Sequence, residues 1–102
     1  MNVITKRTII YYTEQYPQAK NQLLNWLKEF ESASFNSFNE LKEKHRNASV
    51  VAKHRIIFNI KGNSFRLIIS INFHTKAAYV IWFGSHEEYD NIDVAAIPYI
   101  RI

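Results

Sequence analysis

An α+β fold is what the sequence predicts, with two N-terminal helices packed on one face of a small, mostly antiparallel sheet. Three observations carry that expectation. Apolar residues between Ala19 and Phe30 recur at helical spacing. After Val50 the pattern changes to runs rich in Ile, Val and aromatic residues. Between two of those runs stands Gly62-Asn63, a pair suited to a tight hairpin turn.

Taken in order, Met1 to Thr5 is a candidate short strand, after which Thr5 or Thr8 can cap a helix through Tyr11, Tyr12 and Tyr16. Pro17 interrupts that helix and suits the first turn of the next. Ala19, Leu23, Trp26, Leu27 and Phe30 give the second helix one apolar stripe. Ser32 to Asn39 is polar and turn-like, anchored by Phe35 and Phe38, and a short helical turn follows from Asn39 or Glu40 to His45. Strands are expected over Arg55–Lys61, Phe65–Phe73 and Ala77–Phe83.

A two-residue turn at Gly62-Asn63 pairs Ile60 with Phe65, Asn59 with Arg66, Phe58 with Leu67, Ile57 with Ile68 and Ile56 with Ile69. Side chains alternate along a strand, and opposed residues share a face. Ile56, Phe58, Ile60, Phe65, Leu67, Ile69, Ile71 and Phe73 then face the core. Arg55, Ile57, Asn59, Lys61, Arg66, Ile68, Ser70 and Asn72 face away from it. Ala77–Phe83 is apolar on both faces and reads as an interior strand. A second turn at Thr75-Lys76 sets Ser85 across from Arg66, with His86 next to it.

A chain of 102 residues holds one domain, 1–102, with no room for two cores. Hydrophobic residues at 47% and charged residues at 22% are the balance of a folded protein, which excludes a disordered chain. Without cysteine there are neither disulfides nor thiolate metal sites. Lys6 and Arg7 precede too few apolar residues for a signal peptide, and the longest apolar run falls short of a membrane span. A cytoplasmic protein with no membrane partner is expected.

The net charge of +4 is unevenly spread. Lys42 to Arg66 carries seven Lys/Arg against one acid, Glu43, and is +6, while the rest of the chain is −2. Such a concentration suits a polyanion partner, or a solvated face that keeps a small protein soluble.

Chemistry gathers near the C-terminus, in Phe83-Gly84-Ser85-His86-Glu87-Glu88-Tyr89-Asp90. Ser85 with Glu88 fits a capping box, a purely structural device that also puts His86 in a first helical turn. His45, His54, His74 and His86 show no metal-binding spacing, so no metal site is expected. His54 has core-side parity and reads as structural. No glycine-rich phosphate loop exists, because the chain has only Gly62 and Gly84.

Two segments together carry a resemblance. Lys61-Gly62-Asn63-Ser64-Phe65-Arg66-Leu67-Ile68, followed by Gly84-Ser85-His86-Glu87-Glu88-Tyr89-Asp90, resembles the HigB family of bacterial toxins, with Ser85 where threonine is usual. Val3-Ile4 and the Tyr16-Pro17-Gln18-Ala19-Lys20 step also look like it, and only the tail after Ile92 falls outside. The resemblance implies a RelE-like fold and an mRNA interferase that cuts messenger RNA on the ribosome, without a metal or other cofactor. It implies a HigA-type helix-turn-helix antitoxin as partner, and contact with DNA only indirectly, through that complex. Arg66, His86 and Tyr89 fall on the family's motif positions as catalytic candidates. Lys53, Arg55, Asn59 and Lys61 are the expected RNA contacts, on a looser match for Lys53 and Arg55.

The chemistry agrees with those residue types. RNA cleavage needs the 2′-hydroxyl deprotonated, the phosphorane stabilised and the leaving 5′-oxygen protonated. Arginine offers a permanent bidentate charge, histidine moves protons near neutral pH, and tyrosine can stack on a base. Two rivals share the same surface. One is a non-catalytic RNA-binding module. The other is a protein-binding module whose outward apolar residues, Ile57, Ile68, Ile81 and Phe83, receive a docking helix.

Overall fold

The computed structural model describes residues 1–52 and 54–98. Lys53 and residues 99–102 of the apolar tail lie outside the described residues. The elements run β1 (Asn2–Val3), α1 (Lys6–Gln15), a 3-10 turn (Pro17–Ala19), α2 (Lys20–Ser32), α3 (Phe38–Lys44), β2 (Ser49–Val51), β3 (Arg55–Ile60), β4 (Phe65–Asn72), β5 (Ala77–Ser85) and α4 (His86–Tyr89). They build an α+β architecture on a five-stranded mixed sheet of order β1-β5-β4-β3-β2. β1 pairs parallel with β5 and every other neighbour is antiparallel, so β5 is interior as expected.

Helices form where the apolar stripe and chain breaks dictate. Leu23, Trp26 and Phe30 are buried along one side of α2, and Ile9 with Tyr12 along α1. Thr5 stands at the start of α1 without capping it. Its hydroxyl instead accepts from the Val80 N–H at 2.8 Å, tying the helix start to β5. Pro17 opens the 3-10 turn that leads into α2, and Ser37 caps α3 by accepting from the Glu40 N–H. Besides the two N-terminal helices, the short helical turns expected near Asn39–His45 and at His86 form as α3 and α4. Leu41 of α3 joins the same core as the α1 and α2 side chains, and α4 follows the sheet.

The first hairpin has the register read from its pattern, from Ile56↔Ile69 to Ile60↔Phe65. The Ser64 N–H closes the turn onto the Lys61 carbonyl, and the positive φ values fall on Lys61 and Gly62 rather than on Gly62 and Asn63. The β2 strand was not separable in the sequence. It is a short edge strand joined to β3 through Ala52, whose φ is +58°.

The second hairpin departs from the expected turn. Asn72 pairs with Ala77, leaving a four-residue loop at 73–76. The Asn72 side-chain oxygen accepts from the His74 and Thr75 N–H groups, a local turn that competes with a tighter one. A bulge between Ile68 and Ile69 then shifts the ladder, from Ile69↔Val80 to Ile68↔Trp82. Gly84, not Ser85, therefore stands opposite Arg66.

The bulge also re-sorts the faces. On the helix side, Ile56, Phe58, Ile60, Phe65, Leu67, Ile69, Ile71, Ala78, Val80 and Phe83 share one core with the helices. Its centre is aromatic: Phe30 stacks on Trp26 at 4.8 Å and meets Phe58 at 5.9 Å. The His45 ring sits edge-on to Phe58 at 5.2 Å, and burial holds its pKa below the usual value. Phe83, expected on the outer face, stacks on Phe65 at 5.3 Å inside this core.

The outer face is not open either. Ile57, Ile68 and Ile81 are buried beneath Val51, Trp82, Tyr89, Ile92, Val94 and Ile97. The apolar residues that suggested a docking surface are thus covered by the chain's own C-terminal segment. His54, read as a core-side residue, is exposed, and its carbonyl accepts from the Ile71 N–H.

Candidate functional site

Three pieces of chain meet at one end of the sheet: the turn after β3, the start of β4, and α4 at the end of β5. The joint between them is explicit. The His86 N–H donates to the Ser64 carbonyl at 2.9 Å, pinning the first residue of α4 to the hairpin turn.

Four residues make a marginal helix, so α4 depends on its cap. Ser85 accepts from the Glu88 N–H at 3.1 Å, and the Glu88 carboxylate accepts from the Ser85 N–H at 2.9 Å. A contact invisible in the sequence completes it. The Tyr16 hydroxyl, from the corner between α1 and α2, donates to both Glu88 oxygens at 2.8 and 3.0 Å. The Ser85 N–H and then the Tyr16 hydroxyl hold the Glu88 carboxyl below its usual pKa. Burial, and then the bond to Glu88, push the Tyr16 phenol up to about 12, so it stays a donor. Tyr16 in turn rests edge-on against Phe65 and Phe83.

On this frame Arg66 and Tyr89 come together. The guanidinium carbon lies 5.7 Å from the centroid of the Tyr89 ring. One terminal nitrogen of Arg66 donates to the Asn63 carbonyl at 3.0 Å and the Phe65 carbonyl at 3.2 Å. Among the described residues, that leaves its Nε–H and second terminal nitrogen as the fork for an incoming anion.

His86 lies half-exposed on the first turn of α4, with Nε2 3.7 Å from the Asp90 carboxylate. Asp90 was not among the expected site residues, although the i,i+4 spacing of His86 and Asp90 in a helical turn was readable. Trp82 was also missed. Its ring lies 6.4 Å from Tyr89 and is part of the outer-face cluster.

Trp82 explains Gly84. A Cβ built on Gly84 meets the Trp82 ring at 2.6 Å and a Glu88 oxygen at 3.3 Å. Only a residue without a side chain lets the indole lie across the strand there. Gly84→Ala is expected to cost about 1–3 kcal/mol through overpacking. The checks are urea denaturation and a shift in tryptophan emission as the Trp82 ring is displaced; parental values for both would show that the ring gives way freely.

The expected RNA contacts have separate settings. Asn59 donates to the Asn63 side chain at 3.2 Å and lies opposite Arg66. Lys61 donates to the Gln18 carbonyl at 2.9 Å. One terminal nitrogen of Arg55 donates to the Val94 and Ile97 carbonyls at 2.7 and 2.8 Å, so this cation holds the C-terminal segment. Among the described residues, no three His, Asp or Glu side chains gather in a way that could hold a metal ion, and no helix is long and apolar enough to cross a membrane.

Comparison with known proteins shows the family. The family model for the HigB toxin, described as the RelE-like toxic component of a toxin-antitoxin system, matches residues 19–92. Similar relatives are the mRNA interferase toxin HigB of Escherichia coli (strain K12) and the mRNA interferase HigB proteins of Escherichia coli O157:H7 and Shigella flexneri. Each is 28% identical over 93 residues, covering 88% of this chain and 88% of the relative. The family match takes in the hairpin, Arg66, and the whole His86–Asp90 turn. The chain therefore belongs to the HigB family of toxins.

Proposed function

We propose that this protein is the toxin of a toxin–antitoxin pair and an endoribonuclease that cuts messenger RNA in the cytoplasm. The observation that carries the reading is the preset Arg66 fork over the Tyr89 ring, on the same small frame as His86. The family membership and the relatives' names, mRNA interferase, support it.

In this reading Arg66 grips the scissile phosphate and stabilises the charge that builds on the phosphorane. The 2′-oxygen loses its proton and bonds to phosphorus, the bond from phosphorus to the 5′-oxygen breaks, and that oxygen gains a proton. His86 makes one of these two proton transfers. Tyr89 stacks on or orients a base, and Asp90 steadies the imidazole as it gains charge. No metal takes part in this reading: Arg66 supplies the charge, His86 one proton transfer, and water the other.

Such a small catalytic set benefits from a partner that aligns the RNA, so the ribosome is the proposed setting. A HigA-type helix-turn-helix antitoxin neutralises the toxin, and DNA is met only through that complex.

Induced expression of the chain alone is expected to arrest growth and to produce new 5′ ends within messages. Purified protein with ribosomes and a defined message, in the magnesium that ribosomes require, is expected to give the same ends. Growth arrest without new RNA ends would leave a non-catalytic RNA-binding module in its place.

A further inference from the structure

Around the edge of β3 from Arg66 lies a second surface that the catalytic reading does not use. β2 pairs with Arg55–Ile57, so among the described residues Phe58, Asn59 and Ile60 keep a bare outer edge. Against that edge lies a groove of about 560 Å³, walled by Trp26 of α2 and by Phe58 and Ile60. That volume is within the range of small-ligand sites.

The groove is cationic. Lys44 and Arg46, from the end of α3 and the loop after it, face it together with Lys61, against one acid, Glu29. Among the described residues none of the three cations is in an ion pair, since the pairs found are Lys6–Glu31 and His86–Asp90. Asn25, Asn47 and Asn59 add neutral amides to the lining.

We infer that this groove binds one nucleotide of a single-stranded RNA, away from the bond that is cut. The cations suit its phosphate and the amides suit the edges of its base. Continuity favours RNA over an acidic peptide. Asn59 and Lys61 belong to the groove, Asn59 pairs with Arg66 across the sheet, and the Asn59 amide donates to Asn63, whose carbonyl holds Arg66. A strand of RNA gripped at Arg66 reaches the groove by rounding a single β-strand. The inference rests on the ribonuclease reading for its ligand.

The test uses the full chain carrying His86→Gln, so that bound RNA is not cut, and a fluorescein-labelled single-stranded 12-nucleotide RNA. Adding Lys44→Glu and Arg46→Glu is expected to weaken binding at least about tenfold, and to flatten the dependence of log K on log salt by about 0.7 for the one lost phosphate contact. Both side chains are exposed, and Lys44→Ala with Arg46→Ala gives the same direction should charge reversal disturb the fold. RNA bearing 4-thiouridine is expected to crosslink to the peptide containing residues 44–47. Unchanged affinity and salt slope, or crosslinks confined to the Arg66 and Tyr89 peptides, would overturn the groove. So would loss of antitoxin capture with RNA binding intact, which would make it a protein-docking surface. The two readings fail separately: groove-dependent binding by a wild-type chain that cuts no message removes the ribonuclease and leaves the groove.

Discussion

Arg66→Ala is expected to lower RNA cleavage by about 10²–10³, the loss typical when one preset transition-state donor is removed, and to end growth arrest. The fold should survive. Arg66 is only partly buried, and two of its hydrogen bonds go to carbonyls at the turn's surface. Arg66→Lys keeps the charge but loses the planar fork, so it should recover a fraction of the activity. His86→Gln, which keeps a polar side chain but cannot carry a proton, is expected to be as damaging, and to remove any limb of the pH–rate profile that its imidazole provides. Thermal melting and antitoxin binding should stay near parental values for both variants. Full cleavage by either variant would remove that residue from the proposed mechanism.

The second large effect is on stability. Phe30 is fully buried and touches the rings of Trp26, Phe35, His45 and Phe58. Phe30→Ala is expected to cost about 3–5 kcal/mol from lost burial and the cavity left behind. A domain of this size is stable by only about 5–15 kcal/mol, so much of its margin would go. At about 4–8 °C per kcal/mol, the melting temperature should fall by tens of degrees. A fall of a few degrees would mean that the aromatic cluster collapses to fill the space.

What was legible in the sequence was what local pattern encodes. Alternation along Arg55–Lys61 and Phe65–Phe73 agreed with the turn at Gly62-Asn63, and that register is the observed one. The capping box at Ser85 was equally local. The slip in the second hairpin was not legible, because both Ile81 and Trp82 are apolar and either can face a core. A bulge there leaves the hydrophobic pattern undisturbed. Tyr16 and Glu88 are far apart in the chain, and nothing local couples a phenol to a capping carboxylate. The apolar character of Ile92, Val94 and Ile97 was visible, but not the place they cover. For the candidate site, residue types came from the motif and the His86–Asp90 spacing was local, whereas the Arg66–Tyr89 contact required coordinates.

The bulge at Ile68/Ile69 acts like a frameshift written into the sheet. Upstream of it β5 is read in one phase, with Ala78 and Val80 inward; downstream it is read in the other, with Phe83 inward and Gly84 across from Arg66. The single extra residue is what lets one strand complete the helix-side core and still deliver α4 to the turn that holds Arg66. This strand should accept exchanges of one apolar residue for another far more readily than any change in its length.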